Sequence, residues 1–226
     1  MSDRLVVGLV DAGFLRKSLG MHFGQSIELP DIDAEAVVRW FQTAGRRVRP
    51  GLLRTYWYDA QFHSSHHLHR TRQAEFDKLT SVPMLQLRLG KLESRSTAWH
   101  SPIKRALRRC NVDMEEFKKH FEFRDSYEQK GVDTLLVLDI VRFAQSDMYS
   151  SVILMAGDAD FAESVRVVQD MGKEVIVAHP KGAGIAPSLL RLADETVEIG
   201  DTELRKMLTS KPGLEDEAFS EGLADG

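Results

Sequence analysis

The chain has one cysteine, Cys110, among its 226 residues. With no second thiol it closes no internal disulfide and builds no cysteine-based zinc site, so a reducing compartment, the cytoplasm, is the expected location. Long apolar runs are missing too. None approaches the ~20 residues of a membrane span, and Met1-Ser2-Asp3-Arg4 ahead of Leu5 to Val10 lacks the length and cleavage site of a signal peptide. A soluble protein with no membrane partner is expected. There is no Walker phosphate loop, because Lys181-Gly182-Ala183-Gly184 has only G-x-G spacing and reads as a turn leading into a helix at Pro187. No Ser/His/Asp nucleophile motif is recognisable, and Cys110, although set among arginines, has no identifiable partner. Basic residues stop at Lys211, after which Glu215, Asp216, Glu217, Glu221 and Asp225 form an acidic tail, 211–226, expected to be disordered.

What is present suffices for one domain, residues 1–210, since 42% of the residues are apolar and 28% charged. Taking the five tail acids out of the formal net charge of -4 leaves the rest at +1. Within that rest, Arg39, Arg46, Arg47, Arg49, Arg54, Arg70 and Arg72 form a basic span whose single counter-charge is Asp59. Lys104, Arg105, Arg108 and Arg109 form a second cluster. Either suits a phosphate backbone, although charge runs are as often solvated faces.

Strand-type and helix-type segments alternate. Arg4 to Val10 reads as a buried strand, Asp11 to Leu15 as the turn leaving it, and Asp31 to Thr43 as a helix with Asp31 or Asp33 as N-cap and Gly45 as its stop. Strands follow at Leu52 to Tyr58 and Met84 to Leu89, with a helix at Arg70 to Thr80 between them. From about 93 to 130 the periodicity weakens and charge rises, as in an insertion carrying one or two helices. Beyond it come a helix over Val132 to Phe143, a strand over Val152 to Met155 and a helix over Phe161 to Met171 stopped by Gly172. The series closes with a strand at Glu174 to Ala178, a helix at Pro187 to Ala193 and a short strand at Thr196 to Ile199. Such alternation predicts an α/β fold, a mostly parallel sheet with helices on both faces.

In such a sheet, chemistry gathers beyond the carboxyl ends of the strands, where strand order reverses. Asp11 and Asp158 each follow a strand, Asp160 opens the next helix, and Asp133 opens the helix feeding the Asp158 strand. Any one of them alone reads as a helix cap. Asp158 and Asp160 are too close for both to cap one helix, and four carboxylates meeting at one rim need a cation to relieve their repulsion. With no clustered cysteine, hard oxygen donors select Mg²⁺ or Mn²⁺, and the chemistry that follows is phosphodiester hydrolysis.

Three motifs carry a resemblance. Asp11-Ala12-Gly13-Phe14-Leu15, Lys130-Gly131-Val132-Asp133 with Asp139 six residues on, and Gly157-Asp158-Ala159-Asp160-Phe161 followed by Gly172-Lys173-Glu174-Val175 resemble the NYN domain. This is the LabA-like branch of the PIN-like nuclease superfamily. The resemblance runs from about residue 4 to 200, with 93–129 poorly matched. It implies a Rossmann-like (PIN-like) fold and a metal-dependent ribonuclease with Mg²⁺ or Mn²⁺ at Asp11, Asp133, Asp158 and Asp160. It also implies a supporting role for Asp139 and a phosphate contact for Lys130. Apart from the resemblance, basic side chains of the Arg39 to Arg72 span and of the Lys104 to Arg109 cluster, Arg105 and Arg108 among them, are expected to hold the substrate strand. RNA is the expected partner, and self-association into a homodimer is left open. The chain departs from the family at Phe14, where many members carry Asn three residues after the first Asp.

Other features read as structural. His63, His66, His67 and His69 crowd one segment but lack predictable ligand spacing, so a polar loop is expected rather than a zinc or nickel site. Trp40, Tyr56, Trp57 and Tyr58 suit core packing. Two rivals stand beside the nuclease. One is a catalytically inactive binding module of the same fold; the other is a phosphatase of the haloacid dehalogenase type, which needs a D-x-D that Asp11-Ala12-Gly13 does not supply.

Overall fold

The computed structural model describes residues 5–48, 51–94, 100–113 and 127–209; the acidic tail and Arg49 lie outside the described residues, as do the side chains of Arg46, Arg47 and Lys104. Seven strands form one sheet: β1 (Leu5–Asp11), β2 (Leu52–Phe62), β3 (Leu85–Ser94), β4 (Tyr127–Lys130), β5 (Tyr149–Met155), β6 (Glu174–Pro180) and β7 (Glu195–Ile199). Their order is β4-β3-β2-β1-β5-β6-β7, and every pairing is parallel except β3 with β4. The chain builds outward from β1 to β3 on one side, then returns to build from β5 to β7 on the other. Strand order therefore reverses between β1 and β5, and their carboxyl ends flank the switch point.

Helices cover both faces, as the alternation requires. On one face lie α1 (Ala12–Phe23), α2 (Ala34–Val48), α3 (His69–Thr80) and α8 (Asp201–Lys206), burying Leu15, Leu19, Phe41, Phe76 and Leu204 against Val6, Val10, Trp57, Ile153 and Ile176. On the other, α5 (Val132–Ala144), α6 (Ala162–Asp170) and α7 (Pro187–Leu192) bury Leu136, Ile140, Val165, Val168 and Leu189 against Val7, Leu9, Val152, Leu154 and Val177. Alternate residues of one strand thus feed two cores, which is why the central strands read as continuous apolar runs. The remaining helix among the described residues, α4 (His100–Arg109), belongs to the segment read as an insertion, and β4 ends that segment by pairing with β3. No helix among the described residues is long and apolar enough to cross a membrane.

Three expectations need correction and one alternative is resolved. Asp11 to Leu15 is not a free turn, because α1 starts at Ala12 directly from β1. Gly45 does not stop α2, which runs on to Val48; a Cβ on Gly45 would make an ordinary 3.5 Å contact with Leu52 Cβ, so packing there admits a side chain. Of the two candidate caps, Asp33 performs the task, its Oδ1 accepting from the Ala36 N–H at 2.9 Å, while Asp31 ends a short 3₁₀ turn. β2 reaches Phe62, past the expected end at Tyr58, and so carries Asp59 inside the sheet.

Candidate metal site at the switch point

Asp11 ends β1 and caps α1. Its Oδ1 accepts hydrogen bonds from the backbone N–H groups of Gly13 at 2.9 Å and Phe14 at 3.1 Å. These bonds orient the carboxylate without the amide that many family members carry at position 14. Phe14 has a packing role instead: a Cβ on Gly157 would collide with its ring, so the aromatic fills the space between the β1 and β5 ends. The Ala186 N–H donates to the Gly157 carbonyl at 2.8 Å, which draws the Gly-rich turn after β6 onto the same rim.

Val10 pairs with Met155, so the chain leaves both parallel strands at the same rim, at Asp11 and at Gly157-Asp158. Asp158 caps a 3₁₀ turn, Ala159–Phe161, its Oδ1 accepting from the Asp160 N–H at 3.2 Å. Asp160 therefore lies within that turn, two residues before α6 rather than at its opening. Asp133 stands in the first turn of α5, behind Gly131, whose φ of 79° suits glycine. Asp11 is half-buried, and the other three are exposed.

Charge couples the four. Burial pushes the Asp11 carboxyl up to about 6 against the bonds from Phe14 and Gly13, and the charge of Asp133 adds to the rise. Asp133 is raised by partial burial and then by the charges of Asp158 and Asp160. Among the described residues none of the four makes an ion pair. They are also not a finished cage, since no three acidic, imidazole or thiol groups among the described residues stand ready to hold an ion. The donor chemistry fits a hard divalent cation all the same: oxygen ligands only, mutually repelling, with Arg16 acting on Asp11 through its charge but no cation ion-paired to any of the four among the described residues.

The raised Asp11 carboxyl has a consequence for stability. An acid whose folded pKa exceeds its unfolded value keeps extra protons in the folded state, so its contribution falls as pH rises from about 4 to about 6 and stays lost above. Asp11→Asn keeps an oxygen to accept from Gly13 and Phe14 and removes the charge. In EDTA at pH 8 this variant is expected to be more stable than the parent by about 2 kcal/mol, the gap closing near pH 4. Urea unfolding across that range checks it, and a pH-independent gap would contradict it.

Asp139 lies outside the rim. It is 8% exposed and receives the Tyr58 hydroxyl at 2.9 Å and the Arg88 Nε–H at 3.1 Å, both on Oδ2. Burial and the Asp139 charge push the Tyr58 phenol up. This network ties α5 to β2 and β3, so Asp139 supports the helix that presents Asp133. Lys130, the candidate phosphate contact, pairs with Glu93 across the β3–β4 ladder. Arg105, Arg108 and Arg109 are exposed on α4.

The basic span does not form one surface. Arg39 pairs with Asp33 and Glu35, Arg54 lies near the start of β2 at the end of the sheet away from Asp11, and Arg72 turns inward. Sequence reasoning missed what Arg72 meets. Asp59, fully buried, takes Arg16 at 2.6 and 3.0 Å and Arg72 at 3.1 and 3.2 Å, and its Oδ1 also accepts the Ala60 N–H. Burial opposes its ionisation, but the bonds and charge of Arg16 and then the charge of Arg72 hold its carboxyl below the usual range. Two arginines spaced 43 and 13 residues from a lone acid left no local signal. In the histidine segment His66 stacks on Phe62 and tilts against His67, and His69 Nδ1 sits 2.7 Å from the Phe62 carbonyl. Tyr56, Trp57 and Tyr58 are buried as expected.

The fold is similar to that of a Vibrio parahaemolyticus protein of unknown function, with a TM-score of 0.54 at 17% identity over 92% of this chain and 97% of the other. In sequence, the uncharacterized protein y4oD of Sinorhizobium fredii is 33% identical over 101 residues, which are 43% of this chain and 47% of that protein. The matched part spans about half the length of this curated relative. The family model for the NYN domain matches residues 23–200, a stretch that holds Asp133, Asp158 and Asp160 and starts after Asp11. The chain belongs to the NYN domain family.

Proposed function

We propose that this protein is a metal-dependent phosphodiester hydrolase acting on RNA, of the LabA-like branch of its family. Family membership supports hydrolysis of nucleic acid, since NYN domains are typically nucleases. The observation that carries the reading is the set of carboxylates that act on one another by charge at the β1–β5 switch point, with Asp11 pushed up to about 6 and, among the described residues, no cation ion-paired to it. Asp11, Asp133, Asp158 and Asp160 would hold Mg²⁺ or Mn²⁺, which when bound supplies Lewis-acid activation of the phosphodiester and of water.

The chain's own groups do the positioning. Backbone N–H groups of α1 fix the Asp11 carboxylate, and the Asp160 N–H fixes Asp158. Asp139 anchors α5 through Tyr58 and Arg88, which holds Asp133 over the rim. The exposed arginines of α4, Arg105 and Arg108, together with Lys130 beside the motif of Asp133, would steer the phosphate backbone. The test is cleavage of a labelled single-stranded RNA by purified protein with Mg²⁺ and with EDTA. Fragments that form with Mg²⁺ and vanish with EDTA are the expected result, whereas binding without fragments would identify an inactive module.

A further inference from the structure

We propose that the cavity on the Asp59 side of Asp11 is a nucleobase pocket, which receives an unpaired base of the strand whose phosphate lies at the acidic rim. The proposal rests on the nuclease reading only for which strand arrives there. The cavity measures about 440 Å³ and is lined by Arg16, Phe62, Leu68, Thr71, Arg72 and Gln129. That volume is in the range of small-ligand sites.

Three observations point to a base. The first is continuity with the rim: a Cβ on Gly13 would meet Asp11 Oδ1 at 3.2 Å and Gln129 Oε1 at 3.3 Å, so the Gln129 amide stands between the cavity and the candidate metal site. Arg16, on the cavity wall, also acts on Asp11 through its charge. The second is charge. Around the cavity the guanidiniums of Arg16 and Arg72 are answered by Asp59, Glu28 and Glu75, so there is no positive surplus to hold a phosphate. A neutral, planar, hydrogen-bonding group is what such a lining accepts. The third is the wall itself. Phe62, Leu68 and Leu92 supply apolar surface, and Phe62 is already ordered by its stack on His66, with centroids 4.3 Å apart and planes 8° apart. Apolar and aromatic walls with guanidinium and amide groups at the edge are how unpaired bases are held.

Binding is measured in EDTA, so that no cleavage is required, using a fluorescein-labelled eight-nucleotide single-stranded RNA and versions carrying one abasic ribose at each position. The expected result is that one abasic position weakens binding by about tenfold. Thr71→Trp, which plugs the cavity from an exposed helix position, should bind the intact and abasic strands equally weakly. Leu68→Asp, also on the surface, should do the same. The proposal is overturned if every abasic strand binds like the intact one, or if both variants, folded by circular dichroism, bind the intact strand as the parent does. Base-dependent binding without Mg²⁺-dependent cleavage would overturn the nuclease reading alone. Cleavage without base-dependent binding would overturn the pocket alone.

Discussion

Asp158→Asn is expected to lower kcat/KM for RNA cleavage in Mg²⁺ by about 10²- to 10³-fold, corresponding to about 3–4 kcal/mol of lost transition-state stabilisation. The fold should survive. Asp158 is exposed, and its one described structural task is to accept the Asp160 N–H on Oδ1, which the Asn amide oxygen performs equally well. What the substitution removes is half of the Asp158–Asp160 charge that acts on Asp133 and, with it, a hard anionic ligand. Kinetics on the labelled strand, with thermal unfolding alongside, check both halves. Undiminished cleavage in a clean preparation would take Asp158 out of the mechanism.

Asp59→Ala should give the largest loss of stability, about 3–5 kcal/mol. The substitution leaves the guanidiniums of Arg16 and Arg72, each 12% exposed, without the buried carboxylate that both share. It also strips the acceptor of the Ala60 N–H. A second effect reaches the rim. Asp59 holds Arg16 through two bonds, and Arg16 already lowers the Asp11 carboxyl by its charge. Released from Asp59, Arg16 gains freedom to neutralise Asp11, and divalent-cation affinity should fall along with stability. Urea unfolding at pH 7 reads the first effect, and a change below about 1 kcal/mol would contradict it.

The fold was legible where both sheet faces are covered. Val6 to Val10, Val152 to Met155 and Val175 to Ala178 face apolar partners on both sides, so they read as unbroken apolar runs that only a buried parallel strand explains. Of the candidate site, Asp158 and Asp160 drew attention in the sequence as two carboxylates around one small residue after such a strand; the cap that Asp158 forms on the turn holding Asp160 was not legible there. Elements whose sequences follow local rules poorly stayed hidden. In α1 the glycines Gly13 and Gly20 weaken the helical pattern, and Gly20 has a packing reason, because a Cβ there would sit 2.9 Å from the backbone carbonyl of Gln25. β4, Tyr-Glu-Gln-Lys, is a polar edge strand with no alternation to read. The apparent basic span misled because proximity in sequence says nothing about which face a charge takes: Arg72 serves the interior and Arg39 its own helix. The same limit hid the Arg16–Asp59–Arg72 network, whose members come from three elements.

The central claim is that the acidic rim binds a hard divalent cation. Titration of Mn²⁺ at pH 7.5, followed by the electron paramagnetic resonance signal of the free ion, tests it without reference to any substrate. The account predicts that the parent protein removes Mn²⁺ from the free pool in stoichiometric amount, and that Asp133→Asn and Asp158→Asn do so weakly or not at all. A parent protein that leaves the free signal unchanged, or variants that bind as tightly as the parent, would contradict it.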